Sequence, residues 1–126
     1  MTVRRGEIYW VEFDPVKGSE QGGLRPALVV QNDVGNRFSP TTVVAAIIRA
    51  IPPRPYPFVV TLEPAESGIP ERSVVNCSQL ATIQQSGSSS RLRPPWGESD
   101  VRAIGQLSEE KILAVDQALK FNLALR

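Results

Sequence analysis

Apolar positions gather in short runs through the first two thirds of the chain, and these runs predict β-strands. Residues 7–13 (E-I-Y-W-V-E-F) carry alternating aromatic and β-branched side chains, as in a strand buried mainly on one face. Further runs predict strands over residues 27–30, 41–51, 58–62, 73–78 and 80–83. Short strands at this spacing favour a small barrel or a strongly bent sheet over alternating βαβ units.

The end of the chain changes to a helical pattern. Ser108 precedes two glutamates, which suits a helix N-cap followed by acidic residues in the first turn. From there Ile112, Val115, Leu119 and Leu123 recur at helical spacing. The pattern predicts one amphipathic helix packed against the sheet, so the fold class is mainly β with a C-terminal helix.

Between these elements lie irregular segments. Residues 14–23 form a loop, 52–57 (P-P-R-P-Y-P) cannot donate a regular ladder of hydrogen bonds, and 86–97 is a Ser-rich connection. Residues 100–104, closed by Gly105, predict a short helix before the C-terminal one.

Composition narrows the candidate chemistry. The 126 residues suit one domain spanning residues 1–126, and the net charge of +1 means that nucleic acid would have to bind at a local patch. With no histidine, the commonest general base and zinc ligand is missing. The single cysteine, Cys77, excludes an internal disulfide, and the longest apolar run, residues 43–48, is far too short to span a membrane. We expect a cytoplasmic protein with a structural Cys77.

The stretch G-S-E-Q-G-G-L-R-P, residues 18–26, is the strongest candidate for a functional loop. Gly22 and Gly23 let the backbone come close to a partner, and Pro26 biases Arg25 toward an extended conformation at the start of a strand. A guanidinium suits phosphate and stays charged at neutral pH. The alternative is a surface arginine paired with Glu20.

Several stretches together resemble the MazF/PemK family of toxin endoribonucleases. They are R-R-G-E-I-Y-W-V-E-F-D-P (4–15), K-G-S-E-Q-G-G-L-R-P-A-L-V-V-Q-N-D (17–33), G-N-R-F-S-P-T-T (35–42), Y-P-F (56–58) and Q-L-A-T-I (79–83). The resemblance implies a small SH3-like β-barrel with helices, a homodimer, and cleavage of single-stranded RNA without metal or cofactor. It also implies a cognate antitoxin whose disordered acidic tail occupies the RNA groove, with DNA bound only indirectly through that antitoxin, and no association with membranes.

The same resemblance assigns roles to particular positions. It implies that Arg25 is the catalytic arginine and that Glu20, Gln21 and Gly22 lie in the loop that flanks the substrate. Gln79 falls in the segment that lines the groove. A polar strand residue at the surface is the equally weighted alternative for Gln79.

One position departs from the family pattern. The resemblance implies a catalytic threonine after A-A-I, but this chain has Ile48, which supplies no hydroxyl donor. We hypothesise that the chain binds RNA and cleaves it weakly or not at all. The alternative is that another hydroxyl, from Thr42 or Ser78, takes the place of the missing one.

Two loops carry cations beside aromatic rings, on which unstacked bases stack readily. In the proline-rich loop Arg54 and Tyr56 are predicted to bind substrate, because this loop adjoins the strand that carries position 48. The later loop carries Arg91, Arg93 and Trp96. For this loop we favour solvated surface charges over a role in RNA binding.

Two rival functions stay open beside the ribonuclease. The first is a toxin-fold protein that acts only by binding, as the related gyrase poisons do. The second is a transcriptional co-repressor that depends on the antitoxin.

Overall fold

The computed structural model describes residues 2–13, 23–49 and 54–126. Its strands are β1 (Glu7–Phe13), β2 (Gly23–Val29), β3 (Thr41–Ile48), β4 (Val59–Leu62), β5 (Ser73–Gln84), β6 (Leu92–Arg93) and β7 (Gly105–Gln106). Its helices are α1 (Asp33–Phe38), α2 (Pro64–Ser67) and α3 (Glu109–Asn122).

Within the described ranges, the strands form one antiparallel sheet in the order β4-β5-β3-β2-β1-β6, with β7 also paired to β1. The sheet is bent into a half-barrel, and α3 packs against β4 and β5. The predicted mainly β fold with a C-terminal helix is confirmed.

The sheet buries apolar side chains on both faces, because successive residues of a strand point to opposite sides. We call the face that α3 covers the helix side and the other face the open side. The core of the helix side includes Ile8, Leu28, Ala45, Ile47, Val75, Cys77, Val115 and Ala118. The core of the open side is Val3, Tyr9, Val11, Ala27, Val29, Val44, Ile83 and Leu92.

Strand β1 therefore differs from its prediction as a strand buried mainly on one face. Tyr9 and Val11 are buried on the open side, and Ile8 is fully buried on the helix side. Alternation along seven residues does not reveal this, because the second covering layer comes from α3, about 100 positions later in the chain.

The two strands predicted over residues 73–78 and 80–83 are one strand, β5, interrupted by a bulge. Ala45 pairs with Leu80 whereas its neighbour Ala46 pairs with Asn76, so residues 77–79 have no counterpart on β3. A bulge of this kind bends the strand and aims its extra side chains differently from those of a regular ladder.

Helix α3 begins as predicted, because the Ser108 hydroxyl accepts a hydrogen bond from the backbone N–H of Lys111 at 3.2 Å. Two short helices were not predicted. Helix α1 starts where the Asn32 side chain accepts from Gly35 at 2.8 Å. Helix α2 has a reciprocal capping box between Glu63 and Glu66.

The helix predicted over residues 100–104 is wrong. The backbone there bonds to the sheet instead, since the N–H of Ile104 donates to the carbonyl of Ile8 at 2.8 Å, and Gly105 starts β7. A Cβ at Gly105 would collide with the carbonyl oxygen of Ser67, so glycine is required by the close approach of α2 and not by a helix end.

None of the helices in the described part of the chain has the length and apolar character needed to cross a bilayer.

Candidate functional site

The register of the sheet brings Arg25 and Ile48 to one place. Ala27 pairs with Ala46 across β2 and β3, and Pro26 ends the ladder because it has no N–H to donate. The paired stretch ends at Ala27 and Ala46, and continuing its register by two residues leads to Arg25 on β2 and Ile48 on β3. Residues at matching positions of an antiparallel pair project to the same face of the sheet. Both side chains are half-buried and belong to the open side.

Small side chains lie next to these two positions on the open side. Ala27 and Ala46 occupy the next same-face positions on β2 and β3, and across from Ala46 lies Asn76 on β5. Ile48 itself pairs with Val74. We call the surface bounded by Arg25, Ile48 and Asn76, with the two alanines at its base, the alanine trough.

The bulge in β5 supplies the polar rim of the trough. Asn76 Oδ1 accepts hydrogen bonds from the Ser78 N–H at 3.0 Å and from the Ser78 hydroxyl at 2.6 Å. A backbone N–H can only donate, so the accepting atom of Asn76 is the oxygen and the amide group is oriented. The bulge is held in place by the Cys77 N–H, which donates to the Phe58 carbonyl at 2.8 Å.

Two buried polar atoms of β5 have no hydrogen-bond partner among the described residues. They are Gln79 Oε1, in the bulge, and Ser73 Oγ, next to Val74. Native structures leave few such atoms, and each is expected to have a reason, such as a ligand or water that completes it. The predicted assignment of Gln79 to a substrate groove stays a prediction, and its unmet acceptor is compatible with that assignment.

Of the hydroxyls considered as substitutes at position 48, Thr42 is excluded by its position. It is fully buried and donates to Asn36 Oδ1 at 2.6 Å. Six residues along β3 also separate it from Ile48, which is about 20 Å. Ser78 lies in the bulge and is exposed, but its proton is engaged by Asn76.

The side chains of the proline-rich loop are exposed where the structure describes them. Arg54 and Tyr56 both face solvent, and the Tyr56 ring stacks on Phe58 with centroids 5.2 Å apart and planes at 10°. Phe58 directly precedes β4, which borders the bulged strand. A stacked, solvent-facing ring is suited to receive an unpaired base.

The later loop is built differently. Arg93 donates from Nη1 to the carbonyls of Ser90 and Leu92, both within 2.9 Å, so its guanidinium serves the loop's own structure. Trp96 is 98% exposed and lies beside Trp10 on the sheet.

Three residues assigned to the substrate loop, Glu20, Gln21 and Gly22, lie outside the described residues. Gly23, which follows them, has φ +89, and open space surrounds the position of a Cβ there. Its backbone conformation is one that glycine adopts without strain.

Cys77 is a structural residue, as expected. It is fully buried, and burial raises the pKa of its thiol to about 11, with a smaller opposing effect from Arg5. A thiol that stays protonated at neutral pH is a poor nucleophile.

Asn76 is a polar neighbour of position 48 that the sequence did not indicate. Its place beside Ile48 depends on the pairing of β3 with β5 and on the bulge, both of which are contacts between residues about 30 positions apart. The one local signal is the N-x-S pattern of residues 76–78, since an asparagine side chain readily bonds the backbone two residues on.

Comparison with known proteins identifies the class. A family model described as PemK-like, MazF-like toxin of type II toxin-antitoxin system matches residues 4–123. The chain belongs to this family, and the resemblance noted from its motifs is confirmed.

Two curated relatives are similar along nearly their whole length. Endoribonuclease EndoA of Bacillus subtilis (strain 168) is 40% identical over 125 residues, covering 99% of this chain and 97% of the relative. Endoribonuclease MazF of Staphylococcus epidermidis is 37% identical over 123 residues, covering 98% and 92%.

Solved structures share the fold. MazF (Form-I) from Deinococcus radiodurans has a TM-score of 0.73 at 24% identity, with 99% of each chain covered. MazE-MazF (Form-III) from the same organism has a TM-score of 0.72 at 21% identity, with 100% of each chain covered. An endoribonuclease in complex with its cognate antitoxin, from mycobacterial species, has a TM-score of 0.72 at 19% identity, covering 98% and 97%.

Proposed function

We propose that this toxin is a sequence-specific endoribonuclease that cleaves single-stranded RNA without a metal ion. The observation that supports this proposal most directly is the pairing of Ala27 with Ala46, because continuing that register by two residues leads to Arg25 and Ile48 on the same face of the sheet. Two relatives at 40% and 37% identity, both endoribonucleases, support the same activity.

In this proposal the RNA supplies its own nucleophile, and the protein supplies orientation and charge. The 2′-oxygen gives up its proton to water and bonds to phosphorus as the bond from phosphorus to the 5′-oxygen breaks. The 5′-oxygen takes a proton from water and leaves as a hydroxyl, and the other fragment ends in a 2′,3′-cyclic phosphate. Arg25 stabilises the negative charge that builds on the phosphate, because a guanidinium donates to two oxygens at once.

The residue at position 48 sets the rate. Isoleucine keeps the β-branched shape of threonine but cannot donate, and loss of one donor to a transition-state oxyanion typically costs about 100 to 1,000-fold. We therefore propose a slow enzyme that still binds RNA.

The central experiment measures cleavage of a fluorescent single-stranded RNA library in excess EDTA, with the parent chain and the Ile48→Thr variant. We expect Ile48→Thr to be at least about 100-fold faster. The fragments should carry 5′-hydroxyl and cyclic phosphate ends. An Ile48→Thr variant that is no faster would refute the role of this position.

Arginine variants test the other half of the site. In the Ile48→Thr chain, Arg25→Ala should lower the rate by about 1,000-fold. The matched control is Arg102→Ala, which removes an exposed arginine bound to Glu98 at 2.7 Å, and it should leave the rate unchanged. Equal effects of the two changes would remove Arg25 from the mechanism.

The loops are proposed to select the RNA sequence. Glu20, Gln21, Gly22 and Gln79 are assigned to the substrate path by the family resemblance. Replacing Arg54 and Tyr56 together by alanine should weaken RNA binding at least about tenfold, since base stacking is worth about 1 to 3 kcal/mol per base. Unchanged affinity would remove this loop from the interface.

The proposed partners follow from the family. They are a second copy of the chain and a cognate antitoxin with an acidic disordered tail that competes with RNA, and DNA is reached only through that antitoxin. We place the protein's action in the cytoplasm, where it meets messenger RNA. Antitoxin added at equimolar concentration should abolish RNA binding, and light scattering should give twice the chain mass.

Ile48 also favours a second candidate, a toxin-fold protein that acts by binding alone, on a topoisomerase or as a co-repressor with its antitoxin. If neither the parent chain nor Ile48→Thr cleaves any RNA, while the parent inhibits DNA gyrase or tightens antitoxin binding to DNA, this candidate replaces the ribonuclease.

A further inference from the structure

Asn76 borders the alanine trough and brings a side-chain amide donor next to position 48. Asn76 is the diagonal same-face neighbour of Ile48, because Ile48 pairs with Val74 and Asn76 lies two residues beyond it on β5. Diagonal neighbours of an antiparallel pair are about 7 to 8 Å apart. Asn76 also lies directly across from Ala46, so its polar side chain stands on the same face as Ile48.

The amide of Asn76 is oriented for donation. Among the described residues, its side chain makes two hydrogen bonds, and both enter Oδ1, from the N–H and the hydroxyl of Ser78. Nδ2 donates to no side chain or carbonyl among the described residues, and Asn76 is only half-buried. Two bonds to one oxygen fix the plane of the carboxamide, so Nδ2 is held in a defined direction before any substrate arrives.

Ser78 does not fill this role itself. Its hydroxyl proton is committed to Asn76 Oδ1 at 2.6 Å, and using it elsewhere would break that bond. Thr42 is buried and distant, as described above. The candidates to replace the missing hydroxyl at position 48 are therefore Asn76, Ser78 and Thr42. Of these three, Asn76 alone combines proximity to Ile48 with an available donor.

We propose that Asn76 is a catalytic residue of this toxin, donating from Nδ2 to a non-bridging oxygen of the scissile phosphate and carrying the residual activity of a site that has Ile48. The inference rests on the proposed ribonuclease function. It changes no bond of the reaction, because the amide only stabilises charge that develops on the phosphate.

The experiment is a double-mutant cycle in single-turnover cleavage, with Asn76→Leu made in the parent chain and in the Ile48→Thr chain. In the parent we expect Asn76→Leu to lower the rate at least about tenfold, with RNA affinity changed less than about threefold. In the Ile48→Thr chain, where the threonine hydroxyl supplies the donor, the same change should cost less than about threefold.

A second variant guards against misfolding. Asn76→Asp keeps the oxygen that accepts from Ser78, so it should retain the bulge. It replaces the Nδ2 donor by a charged oxygen, and it tests the role of the donor even if Asn76→Leu unfolds. Asn76→Asp is also made in the Ile48→Thr chain, because the added negative charge acts in both chains whereas the lost donor matters only in the parent. We expect Asn76→Asp to slow the parent at least about tenfold more than it slows the Ile48→Thr chain.

The outcomes separate this inference from the proposed function. If the parent cleaves RNA and neither Asn76 change slows the parent more than it slows the Ile48→Thr chain, the inference is overturned and the ribonuclease stands. The inference is equally overturned if only the Ile48→Thr chain cleaves. If no chain cleaves, the proposed function fails and the inference falls with it.

Discussion

Thr42→Val separates a structural hydroxyl from a catalytic one. Thr42 is fully buried on β3, and its hydroxyl donates to Asn36 Oδ1 at 2.6 Å. Asn36 belongs to α1 and also bonds Gln31, with Nδ2 donating to the Gln31 carbonyl at 2.9 Å and Oδ1 accepting from Gln31 Nε2 at 3.1 Å. This cluster joins α1 to the sheet, at the end of β3 remote from Ile48.

The expected cost follows from these contacts. Valine removes one neutral hydrogen bond, worth about 0.5 to 1.5 kcal/mol net, but Asn36 Oδ1 keeps its bond from Gln31 and escapes the full penalty of an unsatisfied acceptor. A methyl group in place of the hydroxyl sits too close to that oxygen and adds some strain. The sum is about 1 to 2 kcal/mol, which lowers the melting temperature of a 126-residue chain by about 4 to 8 °C.

Urea unfolding followed by circular dichroism measures the stability of Thr42→Val, and single-turnover cleavage at a temperature where it is fully folded measures its activity. We expect the full stability loss and a cleavage rate within about twofold of the parent. A rate at least tenfold lower, with stability unchanged, would show that Thr42 acts in the reaction and that the sheet register has been misread.

Three further predictions concern stability. Gly68→Ala should lower the free energy of unfolding in urea by at least about 2 kcal/mol, because the residue has φ +74 and its Cβ would collide with the backbone carbonyl of Ile104. The control Gly87→Ala, at φ +75 in open space, should cost less. Equal losses would contradict the close approach at Gly68. Asp116→Asn should cost about 1 kcal/mol, less in 0.5 M salt, because it weakens a half-exposed pair with Arg5 at 2.8 Å, and a loss independent of salt would count against an ionic origin. Burial raises the pKa of Cys77 from 9.0 to about 11, so between these pH values the folded state keeps the thiol proton that the unfolded chain releases. The stabilisation by the neutral buried thiol is complete below about pH 9 and falls by about 1.4 kcal/mol per pH unit up to about pH 11. The gap in stability between parent and Cys77→Ala should therefore narrow over that range, and a constant gap would contradict a neutral buried thiol.

Much of the fold could be predicted from local pattern. Strand β1 has the predicted bounds, and α3 begins at its predicted cap, because both carry strong local signals. Segment 100–104 was predicted wrongly, because its backbone bonds to β1, nearly 100 residues away, and this outweighs a weak helical tendency. Helix α2 carried a readable signal in its capping box and Pro64, whereas the six residues of α1 include a glycine and depend on contacts with β3.

The sequence by itself determined the family, the mainly β class and the two positions at the centre of the proposed site. Those follow from ordered motifs and from the glycine and proline residues that flank Arg25 in the sequence, both of which are local. Only the tertiary structure decided that Arg25 and Ile48 share one face, that Thr42 is too distant to substitute, and that Asn76 stands beside them. Each of these depends on strand register and on a bulge, which are set by pairing between distant segments and are invisible to any window along the chain.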